Sequence, residues 1–177
     1  NVAVGSLSLE GTTTGSDNTA AGPASGLSLT TGSNNLLLGH DAGRSNSPNT
    51  VTTGSDRIVL GNNSITNAYI RVDWTVTSDL RDKMNIEPIS HGLDFVNQLN
   101  PIKFNFKKSR ENATSHGRKK YGFKAQDILA LEGEDNVIID NEDPNSLKYI
   151  GSHLVPVLVN AIKELKARIE VLENEWS

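Results

Sequence analysis

The sequence predicts a mixed fold in two parts. Residues 1–77 read as a repetitive β-shaft or β-solenoid of the trimeric kind, and residues 78–177 as an α+β domain closing on a long coiled-coil helix at about 152–176. Three observations carry this reading: an Asn-x-x-x-Gly repeat of period 17 at the start, a rise in charge density from Asp79 onward, and apolar residues spaced 4-3-4-3 at the end.

The repeat units are "NVAVGSLSLEGTTTGSD" (1–17), "NTAAGPASGLSLTTGSN" (18–34) and "NLLLGHDAGRSNSPNTVTTGSD" (35–56). The third is five residues longer, with the excess around positions 44–48, and a fourth start, "RIVLGNNS", follows at Arg57. Gly5, Gly22, Gly39 and Gly61 recur in step, as do Gly15, Gly32 and Gly54, each of these three followed by Ser and then Asp or Asn. A short alternating strand followed by such a turn is one rung of a β-solenoid or of an interwound shaft. A period of 17 is too short for a pair of helices. A disordered Gly/Ser/Thr linker would have no reason to keep "AVG", "AAG", "LLLG" and "IVLG" in register. Because the rungs carry small side chains, one chain is expected not to close a core. Burial is expected to come from identical chains about a threefold axis or from further rungs upstream. Asn-rich turns over short strands also suit a sugar-binding surface, although no aromatic platform precedes Tyr69.

The second part alternates helical and strand patterns. "GLDFVNQLN" (92–100) places Leu93, Val96 and Leu99 on one face with Phe95 adjacent, and stops before Pro101: a short amphipathic helix. "PIKFNFK" (101–107) alternates Ile102, Phe104 and Phe106 with polar residues, as a half-buried strand does. Residues 107–124 carry seven Lys/Arg against one Glu, and residues 127–143 carry seven Asp/Glu and no base. With no Walker-type spacing, the basic run reads as a solvated loop pairing with the acidic stretch rather than a phosphate site. A helix over 125–132, a strand over 136–140 and a turn over 141–146 complete the domain.

At the end, Leu158, Ile162, Leu165, Ile169 and Leu172 form an a/d seam, with Trp176 next in register. Ser152 is expected to cap this helix, and Pro156 to sit in its first turn. Ile at a with Leu at d favours two strands over three, a preference that the rest of the molecule must overrule in a trimer.

Composition excludes several classes. The chain of 177 residues has a net charge of −4, which gives no reason to expect nucleic acid as a partner. It has no cysteine, and His40, His91, His116 and His153 lack ligand spacing, so no metal and no cofactor is expected. No apolar run approaches the roughly 20 residues of a membrane span. "NVAVGSL" has no basic n-region and reads as the start of a fragment rather than a signal peptide. No paired carboxylates stand in a frame that suggests a hydrolase acting on an external polymer.

Four segments together resemble a known family: "VDWTVTSDLRDKMNIEPI", "GLDFVNQLNPIKFNF", "YGFKAQDI" and "LVPVLVNAIKELKARIEVLE". They are similar to the self-cleaving C-terminal intramolecular chaperones that end bacteriophage tailspikes and tail fibres of the endosialidase type. A related module occurs in membrane-anchored myelin regulatory factors. The likeness covers roughly residues 72–177, and the glycine-rich part before it resembles the shaft preceding such domains. Lys124 departs from the family, which often has an apolar residue there.

The resemblance implies an assembly device. Its partners would be two further copies in a homotrimer, the upstream shaft of the same fibre protein and, for the mature fibre, a host-surface receptor as a candidate. The shaft would belong to the virion tail fibre, and the released chaperone to the host cytoplasm during assembly. Membrane insertion is not implied. The resemblance assigns Ser78 as nucleophile and Lys83 as its base, a single-turnover serine peptidase. Ser78 cannot attack a peptide without a base to take its proton, and Lys83 can serve only when neutral. Arg81 is a candidate cation for favouring that state, and Asp79 for orienting the lysine or the scissile turn. Ser78 and Lys83 would stand about 140° apart on an ideal helix, so the pair must form across a turn or between chains. Attack on the Thr77 carbonyl closes a five-membered ring, which favours the Thr77–Ser78 bond, while some relatives are cut after the serine, at Ser78–Asp79. The rival local reading is that Ser78 only caps a helix over "DLRDKM". The rival function is a non-cleaving trimeric fibre tip that serves in adhesion.

Overall fold

A computed structural model describes residues 1–134 and 136–175. The seam position Trp176 lies outside the described residues. The chain is mixed α/β, ends in a long helix, and divides into two compact units. The first comprises Asn1–Val72 with Asn105–Arg118, and the second Asp73–Phe104 with Lys119–Ser177.

In the first unit the repeat becomes a stack. Strands β1 (Val2–Val4), β2 (Thr19–Ala21), β3 (Leu36–Leu38) and β4 (Ile58–Leu60) pair in parallel and in sequence order. Val2 faces Thr19, Thr19 faces Leu36 and Leu36 faces Ile58, so the register reproduces the sequence period, including the longer third unit. Each strand is followed by a glycine with positive φ. Gly22 shows why: at φ 134° an added Cβ would stand 2.6 Å from the Gly39 carbonyl carbon of the next rung. After the Gly-Ser of each turn, Asp17, Asn34 and Asp56 take φ of 58°, 56° and 61°, a left-handed conformation that Asp and Asn tolerate.

The middle residue of each later strand points inward. Ala20, Leu37 and Val59 join Leu9, Leu29, Ala42 and Val51 in a buried apolar column. This corrects the expectation that one chain cannot close a core: parallel stacking superposes the leucine, valine and alanine side chains of successive rungs. Beside the column runs a buried asparagine ladder. Asn35 donates through Nδ2 to Asn18 Oδ1 at 2.9 Å and to the Gly54 carbonyl at 3.0 Å, while Asn18 donates to the Gly32 carbonyl at 2.9 Å. The backbone N–H of Asn35 and Arg57 donate to the Asn18 and Asn35 side-chain oxygens in turn. In the long third rung, buried Asp41 accepts from Arg44 and Asn46 and so closes the inserted loop.

In the second unit, α1 (Leu93–Gln98), α2 (Ala125–Glu132) and α3 (Gly151–Glu175) surround a core of Phe95, Ile128, Ile138, Ile139, Leu154 and Val157. Phe95 is the buried residue of α1, because its ring also stacks on His91 with centroids 4.4 Å apart. Strands β5 (Ile102–Lys107) and β6 (Ser115–Gly122), whose residues are divided between the two units, form a two-stranded sheet. Much of the basic run is therefore strand rather than loop, since its alternating polar backbone finds a ladder partner in β5. Lys124 of this run pairs with Asp127 of the acidic stretch at 3.4 Å. The expected strand over 136–140 shrinks to β7 (Ile139–Asp140), paired with β8 (Lys148–Tyr149). The reason is Glu132: its buried carboxylate accepts from the N–H groups of Val137, Ile138 and Ile139, so the chain joins the β8 ladder only from Ile139.

Helix α3 begins at Gly151, so Ser152 lies inside the first turn rather than capping it, and Pro156 falls in the second turn. Leu154 and Val157 on either side of the proline are buried and hold the helix through the hydrogen bond it lacks. Leu154, Val157 and Ala161 form the face packed on the domain. The expected seam is a different stripe. Leu158, Ile162, Leu165, Ile169 and Leu172 are 38–66% exposed in the single chain.

Candidate active site

The residues leading to Ser78 form neither helix nor strand, and Trp74 and Val76 among them are exposed. Asp79 then turns the chain. Its side chain accepts from the Arg81 N–H at 2.9 Å and caps a single 3-10 turn, Leu80–Asp82, which ends at Lys83 in an extended conformation. The longer helix over "DLRDKM" does not form, and Asp79 rather than Ser78 is the cap. The Ser78 hydroxyl is left for another partner.

That partner is Lys83. Its Nζ donates to Ser78 Oγ at 2.8 Å, within one chain. Ser78 precedes the turn and Lys83 follows it, so the four-carbon lysine stem spans the turn that separates them. The two flanking charges face each other: Arg81 forks onto Asp79, Nε to Oδ1 at 3.0 Å and Nη2 to Oδ2 at 2.7 Å. The Arg81 side chain, then its backbone N–H, holds the Asp79 carboxyl below its ordinary range, and Asp79 in turn raises Arg81. Thr77, Ser78 and Asp79 are thus contiguous with the hydroxyl–amine pair at their centre. Ser78 and Lys83 are exposed, between the exposed apolar side chains of Val76, Leu80 and Met84.

Residues 78–138 match a family model described as chaperone of endosialidase. The match begins at Ser78, takes in the turn, α1, the β5–β6 sheet and α2, and covers about a third of the chain. It supports a C-terminal chaperone domain of the endosialidase type. No curated protein and no solved structure matches the chain.

The chaperone segment is tied to α3 by contacts that no local pattern announces. Glu164 Oε2 accepts from the Leu93 N–H at 2.8 Å, capping α1, and Asn160 Nδ2 donates to the His91 carbonyl at 2.9 Å. Some 70 residues separate these partners in sequence. The only sequence signal was indirect: Asn160 and Glu164, four apart, interrupt the apolar pattern of α3 on one side.

Proposed function

We propose that this chain carries the C-terminal intramolecular chaperone of a phage tail fibre or tailspike, residues 78–177, behind a length of β-shaft, residues 1–77. Three chains join through the α3 seam, which brings their shaft rungs into register, and the chaperone then releases itself at Ser78. The observation that carries this reading is the 2.8 Å contact of Lys83 Nζ with Ser78 Oγ, at the first residue of the chaperone match.

The chemistry follows from that contact. Neutral Lys83 takes the proton of Ser78 Oγ, and Oγ attacks the Thr77 carbonyl carbon. The Thr77–Ser78 C–N bond breaks as the lysine returns the proton to the leaving amine, giving an ester that water hydrolyses. Cleavage at Ser78–Asp79 remains the second candidate bond and needs a different approach to the carbonyl. Asp79 and Arg81 fix the turn that separates nucleophile from base. Aligning β-rungs from separate chains is slow because the contacts are distant in sequence or intermolecular, and a preassembled trimer makes that step intramolecular.

The exposure of Ser78 and Lys83 favours a second reading, a trimeric fibre tip that stays attached and serves in receptor adhesion, since a lysine base needs a drier setting. Intact-mass spectrometry with light scattering on one sample separates the two. Cleavage gives fragments of about 77 and 100 residues from an oligomer, and the adhesive tip gives one band at 19.1 kDa.

A further inference from the structure

The four-stranded stack has an outward face as well as an inward one. The first and third residues of each strand point away from the core, in two columns: Val2, Thr19, Leu36, Ile58 and Val4, Ala21, Leu38, Leu60. None is charged, and only Thr19 is polar. Val2, Val4, Leu38, Ile58 and Leu60 are 55%, 62%, 37%, 70% and 52% exposed, while Thr19, Ala21 and Leu36 are half-buried. The turn side of the same rungs is different. There Thr14, Thr31 and Thr53 line up with Ser16, Ser33 and Ser55 and with Asp17, Asn34 and Asp56, a polar surface whose hydroxyls and amides bond from rung to rung. The exposed apolar side chains of the strands thus lie apart from this polar surface.

We propose that the outward β1–β4 face is a contact between copies of this chain, met rung by rung about a symmetry axis parallel to the stack. A copy of itself is the occupant that fits. The face is a ladder of uncharged ranks at strand spacing, and rotation about a parallel axis leaves every rank at its own height. Each Leu38 therefore meets the Leu38 level of its neighbour once the chains share that axis, with no charge to bury. Area sets the condition. Four strands about 4.8 Å apart, each three residues of about 3.3 Å, give a footprint on the order of 200 Å². A stable interface takes about 800 Å² from each partner. The face is too small to gather copies by itself and serves as a register contact after another element has gathered them. This rests on the trimer reading above and specifies which side of the rungs lies at the axis.

The absence of cysteine makes the test clean. Leu38→Cys, Leu60→Cys and, on the polar turn side, Thr31→Cys are made singly in the full chain. Each is treated with a short bismaleimide, and oligomer mass is read by light scattering on the same sample. The expected result is an oligomer in which Leu38→Cys and Leu60→Cys give covalent dimers on denaturing gels, saturating near two chains of three, while Thr31→Cys gives at least tenfold less. An oligomer with no linkage at Leu38→Cys and Leu60→Cys, or with linkage mainly at Thr31→Cys, overturns the inference and leaves the trimer reading standing. A monomeric mass in the unsubstituted chain overturns both. Leu38→Asp with Leu60→Asp is the folding control. It lowers the melting temperature of the oligomer but not of a chain made monomeric through α3, because both side chains are outward in the single chain. An equal loss in the monomeric chain counts against the assignment.

Discussion

Glu164, on α3, caps α1 by accepting the Leu93 N–H at 2.8 Å, and Gly92 beside it leaves the room. A Cβ at Gly92 would stand 1.9 Å from Glu164 Oε1, so Gly92→Ala must displace the carboxylate. Gly92→Ala and Glu164→Ala should each cost about 1–2 kcal/mol, the range for losing a helix cap, and Glu164→Gln less because it keeps an acceptor oxygen. Urea unfolding of the two single variants and the double variant checks this. The double should cost little more than either single, since both remove one interaction.

Lys83→Arg is the sharpest test of the proposed base. Arginine keeps the charge and can still reach Ser78, but cannot be deprotonated in a protein. Lys83→Arg, Lys83→Ala and Ser78→Ala should all leave the chain at 19.1 kDa with oligomer mass unchanged. Efficient processing in Lys83→Arg would falsify the general-base role.

The seam should be separable from the fold. Ile162 and Ile169 are exposed in the single chain, so Ile162→Asp with Ile169→Asp should leave the helical circular dichroism intact. Buried in an oligomer, each charge costs several kcal/mol, and light scattering should report monomers. If the domain requires assembly to dry the Ser78–Lys83 pair, cleavage should stop in the same variant. Full-rate cleavage by the monomer would show that the contact seen within one chain is sufficient.

The asparagine ladder predicts a stability difference between neighbouring positions. Asn35→Ala removes a buried side chain that bonds Asn18, the half-buried Gly54 carbonyl and the Arg57 N–H, and should cost about 1–3 kcal/mol. Thr31→Ala, on the exposed turn side, should stay within about 0.5 kcal/mol. Denaturant midpoints at constant slope decide it.

Asp41 predicts an acid limb. Its carboxyl is held below the ordinary value of 3.8, first by the hydrogen bond from Asn46, against the opposing effect of burial, and further by Arg44 and the nearby His40. A depressed carboxylate contributes stability above its unfolded pKa and loses it as pH falls through the folded one. Asp41→Asn, which keeps an acceptor and tolerates the φ of 59°, removes this linkage. The stability gap between the native chain and Asp41→Asn should be widest above pH 5 and should shrink below 3.8. A gap independent of pH would show that the carboxylate's charge is not what closes the loop.

The sequence by itself determined the elements whose cause is local. The 17-residue offset appears unchanged as the strand register from Val2 to Thr19 to Leu36, because identical turns superpose identical strands. Helices α1 and α2 follow their apolar spacing and breakers nearly to the residue, and the extent of α3 follows its heptads. Tertiary structure alone decided the rest. It closed a core from Ala20, Leu37 and Val59 within one chain, because stacking multiplies small areas that no single rung possesses. It delayed the start of β7 to Ile139 through Glu132, and drew part of a basic run, Ser115–Gly122, into β6 through pairing with β5. At the candidate site, the five-residue spacing named Ser78 and Lys83 but could not say that they meet. That depended on Asp79 taking Arg81 and stopping the helix after one turn, which leaves the serine hydroxyl to the lysine.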